Sequence, residues 1–249
     1  MSTNSITIDR KKRVSARKLE VPASGKSPIT RSQRPKLAQG RHRGRGRPRE
    51  FDEEKALDLA LELFWRQGYE GTSIADLRKA IGITAPSLYA AFSSKEELYR
   101  RVLEHYLAGL GRTLADALRE EANTYAAVKR FLFESARKFA HSKNPRGCLI
   151  SCAIPTCAPE NRAVADIVAA KRITSVKILR SRFQETVKNG ELPGDTDTEQ
   201  LARFYGAVIQ GMSIQALDGA SVKALRGIAE TALRAWPGEL ARKSFRNSR

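Results

Sequence analysis

Reactive side chains are sparse in this sequence and fall in two places. Cys148, Cys152 and Cys157, the three cysteines of the chain, lie within ten residues of one another. The spacing of Cys148 and Cys152 sets both thiols on one face of a helix, where they could share a soft metal ion or respond to an oxidant. The plainer reading treats cysteine as a small buried hydrophobe, with no adjacent histidine to complete a ligand set. An odd, clustered trio is not the framework of a secreted disulfide-rich domain. The three histidines, His42, His105 and His141, have no motif partner, and nucleophile-elbow, zinc-protease and dinucleotide signatures are missing. His105 and His141 near helix ends are explained by the helix dipole or the surface. Gly25-Lys26-Ser27 echoes the close of a phosphate-binding loop, but Glu20 stands where the leading glycine belongs. Neither catalysis nor a cofactor or metal is expected.

The second place is a run of guanidinium groups. Residues Met1 to Arg49 hold 15 basic residues against 2 acidic ones, Asp9 and Glu20, whereas the remaining 200 residues carry 30 against 25. A basic arm on a nearly balanced body points to a polyanionic partner, because neutralising phosphates releases counterions from nucleic acid. Within the arm, Arg45-Gly46-Arg47-Pro48 resembles the core of an AT-hook. Glycine there permits close backbone approach, and a narrow A·T-rich minor groove concentrates negative potential around the guanidinium groups of Arg45 and Arg47. A solvated charge run that only raises non-specific affinity is the other reading. With few large apolar residues, residues 1–49 cannot bury enough surface to offset chain entropy, and the arm is expected to be disordered. No apolar run approaches the roughly 18 residues needed to cross a bilayer, nor is there a secretory signal. A soluble, cytoplasmic, nucleoid-associated protein is the expectation, and 249 residues with 41% hydrophobic content suit one or two compact domains.

The elements that would position a DNA-reading surface follow the arm. Asp52 is a good N-cap, Glu53 and Glu54 complement the helix dipole, and Leu57, Ala60, Leu61 and Phe64 recur at helical spacing. The spacing predicts a first helix ending near Gly68. Thr72 or Ser73 then caps a second, with Asp76 completing a capping box after Ser73 and with Ile74, Leu77 and Ile81 inward; Gly82 stops it. Thr84 caps a short third helix with Pro86 in its first turn and Leu88 and Phe92 on one face. Gly82-Ile83-Thr84 makes the pair a helix-turn-helix, whose second helix suits a major groove. Too short to stand alone, that helix must dock Leu88 and Phe92 on Phe64 and Leu77, leaving Ala85, Pro86, Ser87 and Ala90 outward. Ser94 caps a fourth helix, with Leu98, Val102 and Tyr106 as its stripe.

The run FDEEKALDLALELFWRQGYEGTSIADLRKAIGITAPSLYAAFSSKEELYRRVLEHY, residues 51–106, resembles the DNA-binding domain of the TetR family of bacterial transcription regulators. Ala60, Phe64, Gly68, Thr72, Ile74, Ala80, Gly82, Leu88, Tyr89, Phe92, Lys95 and Leu98 carry the likeness. It implies a homodimer that reads a palindromic operator on double-stranded DNA with paired third helices. It further implies that Thr72 and Ser73 touch phosphates, that Thr84, Ala85, Pro86 and Ser87 approach bases, and that Tyr89 and Lys95 hold the DNA backbone. Capping explains Thr72, Ser73 and Thr84 equally well. Ala91, where the family often has His or Tyr, removes one backbone contact. Ala85, Pro86 and Ala90 offer no side-chain donors, so base readout rests on Thr84, Ser87, thymine methyl contact and DNA shape, and Arg45 and Arg47 would supply affinity.

From Thr124 to Trp236 the pattern is helical throughout. Val128, Phe131, Leu132, Ser135 and Phe139 mark one amphipathic face. A long segment from Asn161 to Asn189 carries Val164, Ile167, Val168, Val176, Leu179, Phe183 and Val187, and Gly190 ends it. Another after Asp197 has Leu201, Phe204, Tyr205, Val208 and Met212, and a last runs from Ser221 to Trp236 before Pro237. No strand signature competes. The expected fold class is all-α: a three-helix helix-turn-helix domain over 50–106, then a helical bundle over 107–237 that binds an effector and dimerises, then a basic tail over 238–249.

The family resemblance places a ligand cavity in the bundle and pairs its last two long helices with those of a second subunit. Small residues Gly206, Ala207, Gly211 and Ala220 fit such an interface. The stretch RGCLISCAIPTCAPEN, residues 146–161, resembles a subset of the family. Phe131, Cys148, Cys152, Phe183, Tyr205 and Met212 are the candidate cavity residues, and plain core is the alternative for the apolar ones. The expected function is a ligand-responsive repressor released from its operator by a small hydrophobic effector. An architectural DNA binder with little sequence preference and a cysteine-based metal or redox sensor are the alternatives.

Overall fold

In the computed structural model of the chain, residues 52–141, 143–153 and 156–237 are described. The basic arm with Arg45 and Arg47, and the tail 238–249, lie outside these residues.

Among the described residues the regular structure is helical. Helix α1 spans Glu53–Gly71, with the Asp52 carboxylate accepting from the Lys55 amide at its start. Gly68, at φ 74°, breaks its helical geometry where the sequence predicts the end, and one further turn carries the chain to Gly71. Helices α2 (Ile74–Ile81), α3 (Ala85–Phe92) and α4 (Lys95–Ala108) follow. Ser73, Thr84 and Ser94 cap them, each hydroxyl accepting from the amide three residues on. Of the two residues offered as the α2 cap, Ser73 is the one used, with the Asp76 carboxylate returning to the Ser73 amide.

The bundle consists of α5 (Thr113–Glu120), α6 (Thr124–Phe139), the single-turn α7 (Leu149–Cys152), α8 (Arg162–Lys188), α9 (Thr198–Leu217) and α10 (Val222–Leu233). Asn123, Asp197 and Ser221 cap α6, α9 and α10. Helix α5 repeats the helical spacing only briefly, through Leu114, Ala117 and Leu118. Its buried residues are only Thr113 and Ala117, and charged pairs from Asp116 to Arg112 and Arg119 occupy its outer side.

Two apolar clusters result. In the first, Phe64, Leu77, Leu88 and Phe92 are each at most 1% exposed, which seats α3 on α1 and α2 as its length requires. Burying a leucine or phenylalanine side chain contributes about 1.5–3 kcal/mol, whereas an isolated helix shorter than about 12 residues is marginal in water. This cluster also takes in Leu149 and Ile150 of α7 and Val164 and Val168 of α8, so the head shares its core with the body. The second cluster gathers Leu132, Phe183, Tyr205, Met212 and Leu225 from α6, α8, α9 and α10, together with Trp236 just beyond α10. The Tyr205 hydroxyl donates to the Ala232 carbonyl at 3.3 Å. Phe204, placed by its spacing on the buried stripe of α9, turns outward and is 38% exposed.

The Arg146-Gly147-Cys148 segment is bound backbone-first to α9. The Arg146 guanidinium donates to the carbonyls of Ala216 and Ala220, each at 2.6 Å, and so serves the C-terminal end of that helix, where cations are favoured. The Cys148 amide donates to the Ser213 hydroxyl at 2.7 Å. Between them Gly147 adopts φ 78°, and a Cβ on it would sit 2.9 Å from the Ser213 carbonyl oxygen. Both the left-handed backbone and the close approach demand glycine. Gly147→Ala is expected to lower stability by about 2 kcal/mol or more, read as a reduced denaturation midpoint with unchanged far-ultraviolet helicity.

Candidate DNA-binding face and ligand cavity

Helix α3 presents one face to solvent. Pro86, Ser87 and Ala90 are exposed, Tyr89 is 47% exposed and Ala85 is half-buried, while Leu88 and Phe92 anchor the other side. The Thr84 and Ser87 hydroxyls lie 2.9 Å apart and bond to one another. Ser73 is exposed at the start of α2, with its hydroxyl and amide engaged by Asp76 in the capping box. Lys95 opens α4 with its ammonium 4.1 Å from the centre of the Tyr69 ring, and partial burial lowers its pKa.

Thr72 does not belong with these residues. It is fully buried, its hydroxyl donates to the Gly68 carbonyl at 2.7 Å and its amide to the Tyr69 carbonyl. Its side chain therefore closes the α1 turn instead of facing phosphates. Nothing in residue type separates Thr72 from Ser73. The difference arises because the extra turn after Gly68 carries Thr72 inward.

Besides the shared core, two further features join head and body. The Glu70 carboxylate accepts from the Ala158 amide at 2.9 Å and from the Asn161 side-chain amide at 2.7 Å, and these bonds hold its pKa below the usual range. Helix α4 is the second link. Its Leu98, Tyr99, Val102 and Leu103 are buried in the head, whereas Tyr106 and Leu107 line a cavity in the body.

That cavity leaves about 100 Å³ of internal space, small for a ligand site, and opens to solvent at its mouth. Its wall is mostly apolar, with Phe131 and Phe139 from α6, Val176 and Leu179 from α8, and Ile209 from α9. Lys138, Arg172 and Gln210 add polar groups, and Trp65 contributes from α1. Of the residues expected here from the sequence, Phe131 and Cys148 line the cavity. Phe183, Tyr205 and Met212 are instead packed in the second apolar cluster, around Trp236, and are not among the lining residues. Cys152 is likewise outside the lining, with its thiol 2.9 Å from the Ser213 hydroxyl. Helical periodicity reports that a residue faces inward. It cannot tell a filled interior from an empty one, so Trp65, Tyr106, Lys138 and Arg172 had no local signal.

The three cysteines are free thiols, and burial raises the pKa of Cys152, which favours the unreactive protonated form. Cys148 accepts a hydrogen bond from the Tyr106 hydroxyl at 3.3 Å. Among the described residues no group of three or more His, Cys, Asp or Glu is placed to hold a metal ion, and no helix is long and apolar enough to cross a membrane.

A solvent-facing recognition helix braced by two others, on a helical body with a cavity, defines a helix-turn-helix transcription regulator. The family model for bacterial regulatory proteins of the tetR family matches residues 56–102. The chain is 38% identical over 196 residues to the HTH-type transcriptional repressor ComR of Escherichia coli K12, covering 78% of this chain and 93% of that protein. It is 30% identical over 175 residues to the repressor BdcR of the same organism, covering 70% and 83%. A solved structure of the TetR-family regulator CifR, a cysteine mutant complexed with 26-base-pair operator DNA, aligns at 44% identity and a TM-score of 0.74, covering 77% of this chain and all of that one. The chain belongs to the TetR family of transcription regulators.

Desolvation at the head–body junction has a pH consequence. Burial raises the pKa of Tyr106 well above its ordinary value of 10.0, with Cys148 adding to the effect, and it raises Tyr99 and Tyr205 as well. A folded-state pKa above the unfolded one means that stability is fully present below pH 10 and is lost as pH climbs past it. Melting temperatures measured between pH 8 and pH 11 should fall above about pH 10. Tyr106→Phe should flatten part of that fall.

Proposed function

We propose that the protein is a homodimeric repressor that grips a palindromic operator with two copies of α3 and lets go when a small molecule occupies the cavity. The observation that carries this reading is α3 itself: eight residues held from behind by Leu88 and Phe92, with Thr84, Ala85, Pro86, Ser87 and Tyr89 on or beside the free face. Ser73 and Lys95 flank it as phosphate contacts, and hydroxyls and ammonium groups suit that positioning role. Arg45 and Arg47 would add minor-groove affinity to a recognition helix poor in hydrogen-bond donors.

An apolar stripe on the body supports the dimer. On α9, Phe204, Ala207, Gly211 and Ile214 follow one another at helical spacing and are exposed, and Ile173 and Ile178 are exposed on α8. Two of the small residues serve different ends. A Cβ on Gly206 would meet Val176 at 3.0 Å, so Gly206 lets α9 close on α8 within one chain, whereas Gly211 has open space around it. CifR bound to its operator and the repressors ComR and BdcR support the DNA-binding half of the reading.

Release follows from α4. A ligand that displaces Tyr106 or Leu107 moves the helix whose other end packs the head, and so changes the separation of the two recognition helices. Ligand and operator then weaken each other by the same factor. A cytoplasmic, DNA-associated location goes with this reading, and no catalytic step does: His105 pairs with Asp58 at 2.7 Å, and His141 accepts from the Lys143 amide.

Selection of genomic fragments at physiological salt tests the reading. The expected result is a two-fold symmetric site bound about a thousandfold or more tighter than bulk DNA. Equal affinity for every duplex would favour the architectural alternative. The double substitution Phe204→Glu, Ile214→Glu should sediment as a monomer, keep its helicity, and lose most operator affinity.

A further inference from the structure

The charges around the cavity are of one sign. Lys138 and Arg172 both line it, and its lining includes no aspartate or glutamate. Several arginines elsewhere are held by carboxylates: Arg130 reaches Glu120, Glu121 and Glu134, and Arg100 is bridged by Glu97 and Glu104. Among the described residues neither Lys138 nor Arg172 forms an ion pair with a carboxylate.

Each of the two is only partly occupied. The Lys138 ammonium donates to the Thr113 hydroxyl at 2.9 Å, leaving further donors of its three. One nitrogen of Arg172 donates to the carbonyls of Ile150 and Ala153, each at 3.1 Å, leaving the rest of its five N–H groups. A third donor belongs to the same wall: the Trp65 indole nitrogen is buried without a hydrogen-bond partner. Half-buried positive charge and an unpaired buried donor are costly unless an acceptor arrives. The position of Lys138 in the last turn of α6 and the hold of Arg172 on α7 account for why cations are tolerated there. They do not account for the absence of any counter-charge beside an apolar chamber.

We propose that the cavity takes an amphipathic carboxylic acid. Its apolar body lies against Phe131, Val176, Leu179 and Ile209, and its carboxylate accepts from Lys138, with Arg172 adding positive potential. The inference deepens the proposed function, since it names the chemical class of the effector that the reading requires. It narrows the small hydrophobic effector expected from the sequence to one that carries an acid group.

The test compares acids with neutral isosteres on the full-length protein. Octanoate and octanamide, and 3-phenylpropanoate and 3-phenylpropanamide, are titrated to about 1 mM by calorimetry, with the combined fluorescence of Trp65 and Trp236 as a second readout. At least one acid should bind about tenfold or more tighter than its amide, and Lys138→Gln should erase that preference while Lys138→Arg keeps it. Should Lys138→Gln fail to fold, Lys138→Arg and the salt dependence of the acid–amide difference in the unaltered protein carry the comparison. Equal binding of acid and amide, or no binding by either acid, overturns the proposal. An acid that binds with the expected preference but leaves operator affinity unchanged sinks the effector reading and not this one. Release of operator by the amide as readily as by the acid does the opposite.

Discussion

The eight-residue helix α3 has no stability of its own, and the docking of Leu88 and Phe92 against Phe64 and Leu77 is the interaction on which the rest of the molecule depends. Everything around it serves to make that docking rigid. Thr84 closes its start, Gly82 turns the chain into it with a left-handed backbone, and Ser94 restarts the chain into α4. Because the anchor residues occupy one side, the opposite side is free of structural duty. That freedom lets small residues such as Ala85 and Ala90 stand there without cost to the fold.

The head does not finish at the end of α4. Leu149, Ile150, Val164 and Val168 complete its core, and Glu70 ties the end of α1 to the turn that begins α8. A helix-turn-helix that swivelled freely could not report the state of a cavity in the body. Here α4 belongs to both, with Tyr99 packed among Phe64 and Tyr69 at one end and Tyr106 against Trp65 and Cys148 at the other. Close-packed interiors transmit displacement instead of absorbing it.

The head was legible in the sequence nearly residue by residue, because caps, glycine stops and inward leucines are local signals that agree with one another. Asp52, Ser73, Thr84, Ser94, Asp197 and Ser221 all cap as their types suggest. Thr72 departs from its expected place because a single glycine-broken turn reverses which way it faces. In the body, periodicity marks the long helices, whereas the eight residues of α5 repeat their apolar spacing for barely two turns, through Leu114, Ala117 and Leu118. The cavity was out of reach for a different reason. Its wall is assembled from α1, α4, α5, α6, α7, α8 and α9, and no stretch of sequence records that Lys138 and Arg172 face one chamber. Cys148 found there, and Phe183, Tyr205 and Met212 found in the filled core, had the same signature before the fold was known.

The double membership of α4 also bears on how such a protein diversifies. A substitution at Tyr106 or Leu107 reshapes the chamber and strains the reading head together, so novelty at those positions is coupled to a penalty in DNA recognition. Ser135 on α6 and Gln210 on α9 line the chamber from helices that contribute nothing to the head's core. Drift toward new chemical signals has its open road along α6 and α9, while the α4 side stays conservative.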